Sequence, residues 1–485
     1  MGVKETWRFI YNPDGDVADV VAYGASVAEG RIAGKYQLST TLVPDTLIIQ
    51  RSRERGIIAG ADVGVEKALA ADQKITVARM ARQGRNGARA VGTLQLSELT
   101  SRASSKFKAV ETDPDDPAVL IYTSGTTGNP KGAMVTHRNF HFQCSTIVPS
   151  LLEFTQEDRV VGVLPLYHIY GLANAMIVTV HYGACLVLMP QYSPQSLLET
   201  IEKHQTSMMP AIPSMYQLLL GLARIKSRQV RIPTCLKHCI SGGAPLPLAV
   251  LKDFSETFDT RIMEGYGLTE STSSVCANGV GGVFKEGSIG RPGDGVEMKI
   301  VDDQGSDLPD GEEGEILIRS TTIFKGYWNN PEATGAVLAP DGWFSTGDLG
   351  YRDEEGYYFI TDRKKDIIIT HGYNISPREV EEVLAEHPKV SEAAVVSLSG
   401  AQGDETVTAF VVPRYSGPDG AAGSPDEVPT HRELHEYCEL HLAPYKRPRA
   451  YVVVEALPKS ATGKVLRKEL RGEAEDQRLI ERSKP

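Results

Sequence analysis

The residues Tyr122-Thr123-Ser124-Gly125-Thr126-Thr127-Gly128-Asn129-Pro130-Lys131-Gly132 combine three glycines, four aliphatic hydroxyls and one lysine behind an apolar run, Ala118–Tyr122. Glycines let backbone N–H groups turn toward an anion, hydroxyls add donors and the lysine neutralises charge, a set that suits a polyphosphate. A flexible Gly/Thr linker would carry neither the lysine nor the strand before it. The P-loop pattern is not met. Pro130 stands where its second glycine belongs, and Gly132 where the metal-binding Ser or Thr belongs.

The elements that must position this loop follow from the apolar pattern. Ala118–Tyr122, Val160–Leu166, Ala184–Met189, Leu236–Ile240 and Arg261–Met263 are short apolar runs ending in turn residues. Ser193–His204 and Pro213–Leu222 lie between them with helical spacing. Short buried strands alternating with helices predict an α/β fold with a large parallel component. Between Gly287 and Ile360 alternating strands joined by Asp/Gly turns predict a small antiparallel sheet or barrel. Asp362-Arg363-Lys364-Lys365-Asp366 then separates a final α+β unit, in which Ser376-Pro377-Arg378-Glu379 reads as a capping box and His387-Pro388 as a helix stop. The expected organisation is an N-terminal domain over 1–364, with 1–117 atypical and 287–360 barrel-like, and a small mobile C-terminal domain over 365–485.

Composition narrows the class. The 485 residues suggest about three structural units at roughly 150 residues each. With 51 Lys+Arg against 62 Asp+Glu the net charge is −11, contrary to the basic excess of a nucleic-acid binder. The unbroken apolar run Ala184–Met189 is too short to cross a membrane, and six scattered cysteines form no disulfide framework. The expected compartment is the cytoplasm. His431, His435, Cys438 and His441 share one helix, from which four side chains do not converge on one ion. Cys235, His238 and Cys239 read as core and turn residues.

Seven blocks in order resemble the AMP-forming acyl-CoA synthetase superfamily, which includes firefly luciferase and nonribosomal adenylation domains. They are Ser124–Gly132, Pro165–Gly171, Ser241–Pro245, Gly265–Glu270, Ser345–Asp348, Asp362–Lys365 with Gly372-Tyr373-Asn374, and Pro458–Lys464; the likeness runs from about Ala118 to Glu469. It implies that a carboxylate attacks the α-phosphate of ATP·Mg²⁺ to give acyl-AMP and pyrophosphate, after which the thiol of CoA displaces AMP. Ser124, Gly125, Thr126, Thr127, Gly128 and Lys131 would hold the β- and γ-phosphates. Gly243, Ala244, Pro245, Tyr266 and Gly267 would line the adenine site, the glycines beside Tyr266 implying that its ring is exposed in a cleft.

By the same resemblance Thr269 meets the α-phosphate, Glu270 is the Mg²⁺ ligand, Asp348 accepts from the ribose hydroxyls and Arg363 adds a cation beside them. Lys464 bridges carboxylate and α-phosphate, Lys365 is the hinge, and Gly372 and Tyr373 border the CoA channel. His168, Ile169, Tyr170, Asn174, Gly242 and Gly243 form the acyl pocket. His168 joins the catalytic set as a gate, because a carboxylate is already ionised at neutral pH and needs no general base. Pro165–Gly171 is similar to 4-coumarate–CoA ligases, where the tyrosine meets a ring hydroxyl. Asp362–Ile369 is similar to fatty-acyl-CoA ligases; aryl ligases and luciferases carry a lysine where Ile369 stands. The expected substrate is a small-molecule carboxylic acid, a fatty acid before an aryl acid. Acid adenylation for a carrier protein is an alternative, as is an impaired ATP-binding relative, since residues 1–100 show no such likeness.

Overall fold

The computed structural model describes residues 111–123, 131–189, 192–225, 230–370, 373–399, 405–414, 428–460 and 463–475, together with the backbone of seven short strands in the first 110 residues. Two compact units emerge: Met1–Arg138 with Phe324–Thr334, and Asn139–Ile323 with Gly335–Pro485.

In the first unit the strands Arg55–Ala59, Ile75–Arg79 and Thr93–Gln95 pair in parallel. Pro117–Thr123 and Lys131–Thr136 form an antiparallel pair with Thr123 opposite Lys131. Those two residues bracket the candidate phosphate loop; Ser124, Gly125, Thr126, Thr127 and Gly128 lie outside the described residues. The Lys131 ammonium sits 5.1 Å from the centroid of the Tyr327 ring, a cation–π contact. The Gly132 carbonyl accepts from Trp328 N–H, so the segment from Phe324 onward braces the strand that carries Lys131.

The second unit is built on a seven-stranded sheet. Cys185–Leu188, Arg159–Gly162, Met208–Ala211, His238–Ser241 and Ile262–Leu268 run parallel in that spatial order, and Ser273–Ala277 and Arg291–Pro292 add antiparallel pairs at one edge. A parallel sheet must be covered on its faces, which is why its strands are continuously apolar. The cover includes helices Pro194–His204, Pro213–Ile225 and Leu248–Phe258. Leu197, Ile201, Tyr216, Leu219 and Phe254 pack with Val161, Met209 and Ile262 of the strands. The Ser193 side chain caps the first of these helices, accepting from Ser196 N–H and fixing where it starts.

The expected sheet or barrel over 287–360 is an open four-stranded antiparallel meander: Val296–Val301, Gly314–Ser320, Phe344–Arg352 and Tyr358–Arg363. From Ile368 onward the chain builds a mixed sheet of Val390–Ser399, Glu405–Pro413 and Ala450–Val453. Its period-two alternation buries both faces. Val395, Ala409 and Val411 pack beneath Val380, Leu384, Leu434 and Cys438, while Ala394, Val396 and Phe410 pack with Leu457 and Leu470.

The capping box expected at Ser376 forms by half. Ser376 Oγ accepts from Glu379 N–H at the start of helix Pro377–Glu386, but the Glu379 carboxylate turns away to an ion pair with Lys446 at 2.6 Å. Ser376 donates instead to Asp362 Oδ2 at 2.5 Å. On helix His431–His441 Cys438 is buried while His435 and His441 are exposed, so those side chains diverge.

Arg467 ties this region together. It bonds both carboxylate oxygens of Glu381 at 2.5 and 3.0 Å and also donates to the Val395 carbonyl. Both partners are mostly shielded from solvent, so removing one leaves a poorly solvated charge. Arg467→Ala is expected to lower unfolding free energy by about 3 kcal/mol, measured by urea denaturation; Arg467→Lys, which cannot make the two-pronged contact, is expected to recover only part of the loss.

Candidate functional site

The carboxyl ends of the parallel strands lead into the site. Strand Ile262–Leu268 carries Tyr266, whose hydroxyl donates to Asp348 Oδ2 at 2.7 Å. Asp348 Oδ1 pairs with Arg363 Nε at 2.8 Å, and the two residues face one another in the meander. The neighbouring carboxylate holds the Arg363 guanidinium above its ordinary pKa, with Tyr266, Asp366 and Glu270 adding to the effect. Asp348 is buried, and Thr346 Oγ1 accepts from its backbone N–H. A carboxylate fixed by two donors has a set orientation and keeps lone pairs for a third partner.

The expectation that Tyr266 is exposed in a cleft is corrected, because its side chain is buried. Gly267 instead serves close strand approach. A Cβ at Gly267 would lie 1.6 Å from the Ser273 carbonyl oxygen, at the bulge where Ile262–Leu268 pairs with Ser273–Ala277. Thr269 and Glu270 begin the 3₁₀ turn that follows, held by Leu268 N–H donating to Ser271 Oγ. Glu270 therefore projects from a short rigid turn close to Arg363. One carboxylate there fits Mg²⁺, which takes one or two carboxylates and completes its shell with phosphate oxygens and water.

Gly242 and Gly243 follow strand His238–Ser241. A Cβ on Gly242 would meet the Tyr170 ring at 3.2 Å and the Gly265 carbonyl at 3.3 Å, and Gly243 has φ of +80°. Ala244 and Pro245 continue this turn, anchored where Leu246 N–H donates to buried Glu264. Burial raises the Glu264 carboxyl to about 7.

Lys464 arrives from the C-terminal region on a small hairpin. Ser460 N–H donates to the Lys464 carbonyl, Lys464 N–H donates to Ser460 Oγ, and Lys459 pairs with Val465. Gly463, with φ of +75°, presses the hairpin against the sheet; a Cβ there would sit 2.7 Å from Ile212 Cδ1. Solvent reaches the Lys464 side chain, yet protein crowds most of it. That crowding, then the charges of Arg363 and Lys365, lowers its pKa to about 8. Lys365 lies exposed in the turn after Arg363, where Asp366 and Ile367 N–H groups both donate to the Arg363 carbonyl. Tyr373 is exposed and stacks on Tyr445 at 4.5 Å; Gly372 lies outside the described residues.

His168 shares this neighbourhood. Burial, with a smaller contribution from Lys464, lowers its pKa to about 4. Its Nδ1 accepts from the Tyr170 backbone N–H at 3.2 Å, which leaves the ring neutral with its proton on Nε2. Beside it lies an apolar cavity lined by Val148, Leu152, Phe154, Val160, Val178 and Met208, with Tyr170, Asn174 and Gly265 also on its walls.

Of the predicted acyl-pocket residues, Tyr170 and Asn174 line this cavity, whereas His168, Ile169, Gly242 and Gly243 are not on its wall. The Tyr170 hydroxyl donates to backbone carbonyls, Ile240 at 3.1 Å and Ala211 at 3.4 Å, so its proton is committed to the fold. Gln143 and Ser274 also line the cavity and escaped sequence reading. Gln143 sits in a π-helical turn, Gln143–Ile147, where the usual 3.6-residue period does not indicate which side faces inward. Polar residues on both sides of it, Asn139, His141, Ser145 and Thr146, leave no local signal that would single it out.

Two family models match the chain, that of AMP-binding enzymes over residues 46–328 and that of their C-terminal domain over 379–464. The match starts well ahead of Ala118, inside the stretch read as atypical. The chain is 40% identical over 361 residues to a long-chain-fatty-acid–CoA ligase of Bacillus subtilis, covering 74% of this chain and 62% of that one. It is 35% identical over 390 residues to 4-coumarate–CoA ligase 2 of Nicotiana tabacum, covering 78% and 69%. The ATP-bound crystal structure of MatB from Rhodopseudomonas palustris superposes with a TM-score of 0.74 at 32% identity, over 86% of this chain and 79% of that one. An anthranilate CoA ligase, AuaEII, bound to anthranoyl-AMP gives 0.73 at 28% identity, over 85% and 76%. The chain thus spans under two thirds of the Bacillus relative's length, but nearly three fifths of it falls within the AMP-binding model. The chain belongs to the AMP-binding enzymes of the AMP-forming acyl-CoA synthetase superfamily.

Proposed function

We propose that the chain joins an apolar carboxylic acid to CoA through an acyl-adenylate. The observation that carries this is the seating of Lys464, brought from the C-terminal region to within electrostatic reach of His168, Arg363 and Asp348, next to a cavity lined by hydrocarbon. In the first step a carboxylate oxygen forms a bond to the α-phosphorus of ATP, and the bond from that phosphorus to the bridging oxygen of the β-phosphate breaks, releasing pyrophosphate. In the second the CoA sulfur bonds to the acyl carbon, the carbon–oxygen bond to AMP breaks, and the thiol proton passes to solvent.

Each proposed role has a physical basis. Asp348, oriented by Tyr266 and Arg363, accepts from the ribose hydroxyls. Lys464 sets its charge between carboxylate and α-phosphate, where two anions would otherwise repel and where negative charge grows during attack. Lys131 and the hydroxyl-rich loop before it serve the outer phosphates, Thr269 the α-phosphate, and Glu270 holds Mg²⁺, which neutralises phosphate charge when bound. His168 stays neutral across the working pH range and acts as a wall and gate. Lys365 is the hinge about which the C-terminal region turns to offer Tyr373 to the pantetheine arm. The apolar lining favours a fatty acid, in agreement with Ile369 standing where aryl ligases carry lysine. Similarity to both fatty-acid and coumarate ligases supports acid activation and leaves both acid classes in view.

Pyrophosphate release is expected only when ATP and an acid are both present. Lys464→Ala is expected to slow it by about 10²–10³-fold, with AMP binding by calorimetry nearly unchanged; release as fast as wild type would remove Lys464 from the proposed step. The pKa of Lys464 is depressed, so its cation is nearly complete at pH 6 and is lost as pH rises through about 8. The kcat/KM for adenylation is therefore expected to fall on the alkaline side near that value, and Lys464→Ala to lack the same limb. His168, already neutral, contributes no limb between pH 6 and 9 on this account, given its pKa of about 4.

Gly463 gives a separate test of placement. Gly463→Val puts a branched side chain where Ile212 already lies, at a backbone angle that disfavours it. Displacing the lysine by about an ångström is expected to cost about 10²-fold in adenylation. The melting temperature, measured alongside, separates displacement of the lysine from loss of stability.

A further inference from the structure

Strand Val390–Ser399 turns one face toward Leu457, Val465 and Leu470, and Ala394, Val396 and Leu398 follow one another along that face. Glu392 takes the next position of the same row. Its cross-strand neighbour, Val412, packs into the same apolar cluster. A carboxylate in this place is not explained by packing, since an apolar side chain would serve the cluster at least as well. Its partner explains it. Lys459 Nζ lies 2.6 Å from Glu392 Oε2, and both side chains are about three-quarters shielded from water, at 26% and 25% exposure.

Lys459 stands at the opening of the hairpin that carries Lys464. It pairs across the hairpin with Val465, and Leu466 N–H donates to the Pro458 carbonyl just outside that pair. Arg467 stands at the closing end, bonded to Glu381 and to the Val395 carbonyl. Lys464 thus hangs between two ion pairs that anchor the two arms of its hairpin separately. Glu381, Glu392, Lys459 and Arg467 all follow Lys365 in the chain, so both anchors travel with Lys464 when the C-terminal region turns. An ion pair this accessible adds little to stability, but a short charge-assisted contact fixes direction.

We propose that the Glu392–Lys459 ion pair positions Lys464, holding the opening arm of the hairpin so that the Lys464 ammonium is aimed at the reacting carboxylate and α-phosphate. Neither residue touches substrate; both act through Lys464. The inference rests on the adenylation role proposed above for that lysine. Thioester formation takes place after the region has turned and assigns Lys464 no part, so the pair should matter to one half-reaction and not to the other.

The test measures the two half-reactions apart, as pyrophosphate release with the better of dodecanoate and 4-coumarate, and as thioester formation from the matching synthetic acyl-AMP and CoA. Lys459→Met and, separately, Glu392→Gln are expected to lower kcat for pyrophosphate release about tenfold, less than loss of Lys464 itself because the Arg467 anchor remains. The KM for ATP and the rate of thioester formation should stay within about twofold of wild type. In a Lys464→Ala background, Lys459→Met is expected to have no further effect, because the lysine it aims is gone. The exchanged pair, Glu392→Lys with Lys459→Glu, is expected to recover part of the loss. A merely structural role would lower both half-reactions together and would subtract again in the Lys464→Ala background, and either result overturns the inference. So does pyrophosphate release at the wild-type rate in both single variants. Glu392→Gln keeps the shape of the side chain, and its thioester rate reports folding should Lys459→Met fail to fold. Lys464→Ala releasing pyrophosphate as fast as wild type would instead overturn the role on which the inference rests, a result separate from those above.

Discussion

The ion pair between Arg363 and Asp348 is the junction on which the rest of the second unit converges. Asp348 comes from the third strand of the meander, Arg363 from its fourth, and the hydroxyl that completes the set comes from Tyr266 on the parallel sheet. The turn toward the C-terminal cores begins at the next residue, and Lys464 returns from those cores to the same place. Three cations, Arg363, Lys365 and Lys464, are gathered near Asp348 and Asp366. Burial first, and then the like charges around them, lower the pKa values of both lysines. A polyanion is the ligand that would turn this repulsion into attraction.

The electrostatic and apolar halves of the site are separated by very little. Gly242 lies against the Tyr170 ring, and Tyr170 faces both the glycine turn and the cavity. Because the tyrosine proton is used on two strand-end carbonyls, the ring acts as a strut between sheet and cavity. Neutral polar groups on the cavity wall include the amides of Gln143 and Asn174, both anchored to Ser274 on the antiparallel edge of the sheet.

The readable parts of the chain were those in which local chemistry dictates local shape. Strand runs such as Val160–Val161 are uniformly apolar because a parallel sheet is covered on its faces, and Ser376 ahead of a Pro-started helix caps it. The glycines around Tyr266 were visible but misread. Gly267 marks a backbone in contact with another strand, and the same residue type would also mark an open cleft. Glu379 was placed in a capping box on spacing alone, whereas a lysine distant in sequence, Lys446, offers it the stronger charge-assisted bond.

The order of glycine-rich and charged blocks, the apolar periods and the acidic composition were enough, by themselves, to establish family, fold class and the residues to examine. Those properties depend on neighbours a few positions apart, and such neighbours are written directly in the chain. Tertiary structure alone decided that Lys464 lies beside Arg363, that Tyr266 is buried against Asp348, and that two amide oxygens find no donor among the described residues. Each of those facts joins residues far apart along the chain, and a hydrogen bond or a charge is worth something only once folding has removed the water that would otherwise satisfy it.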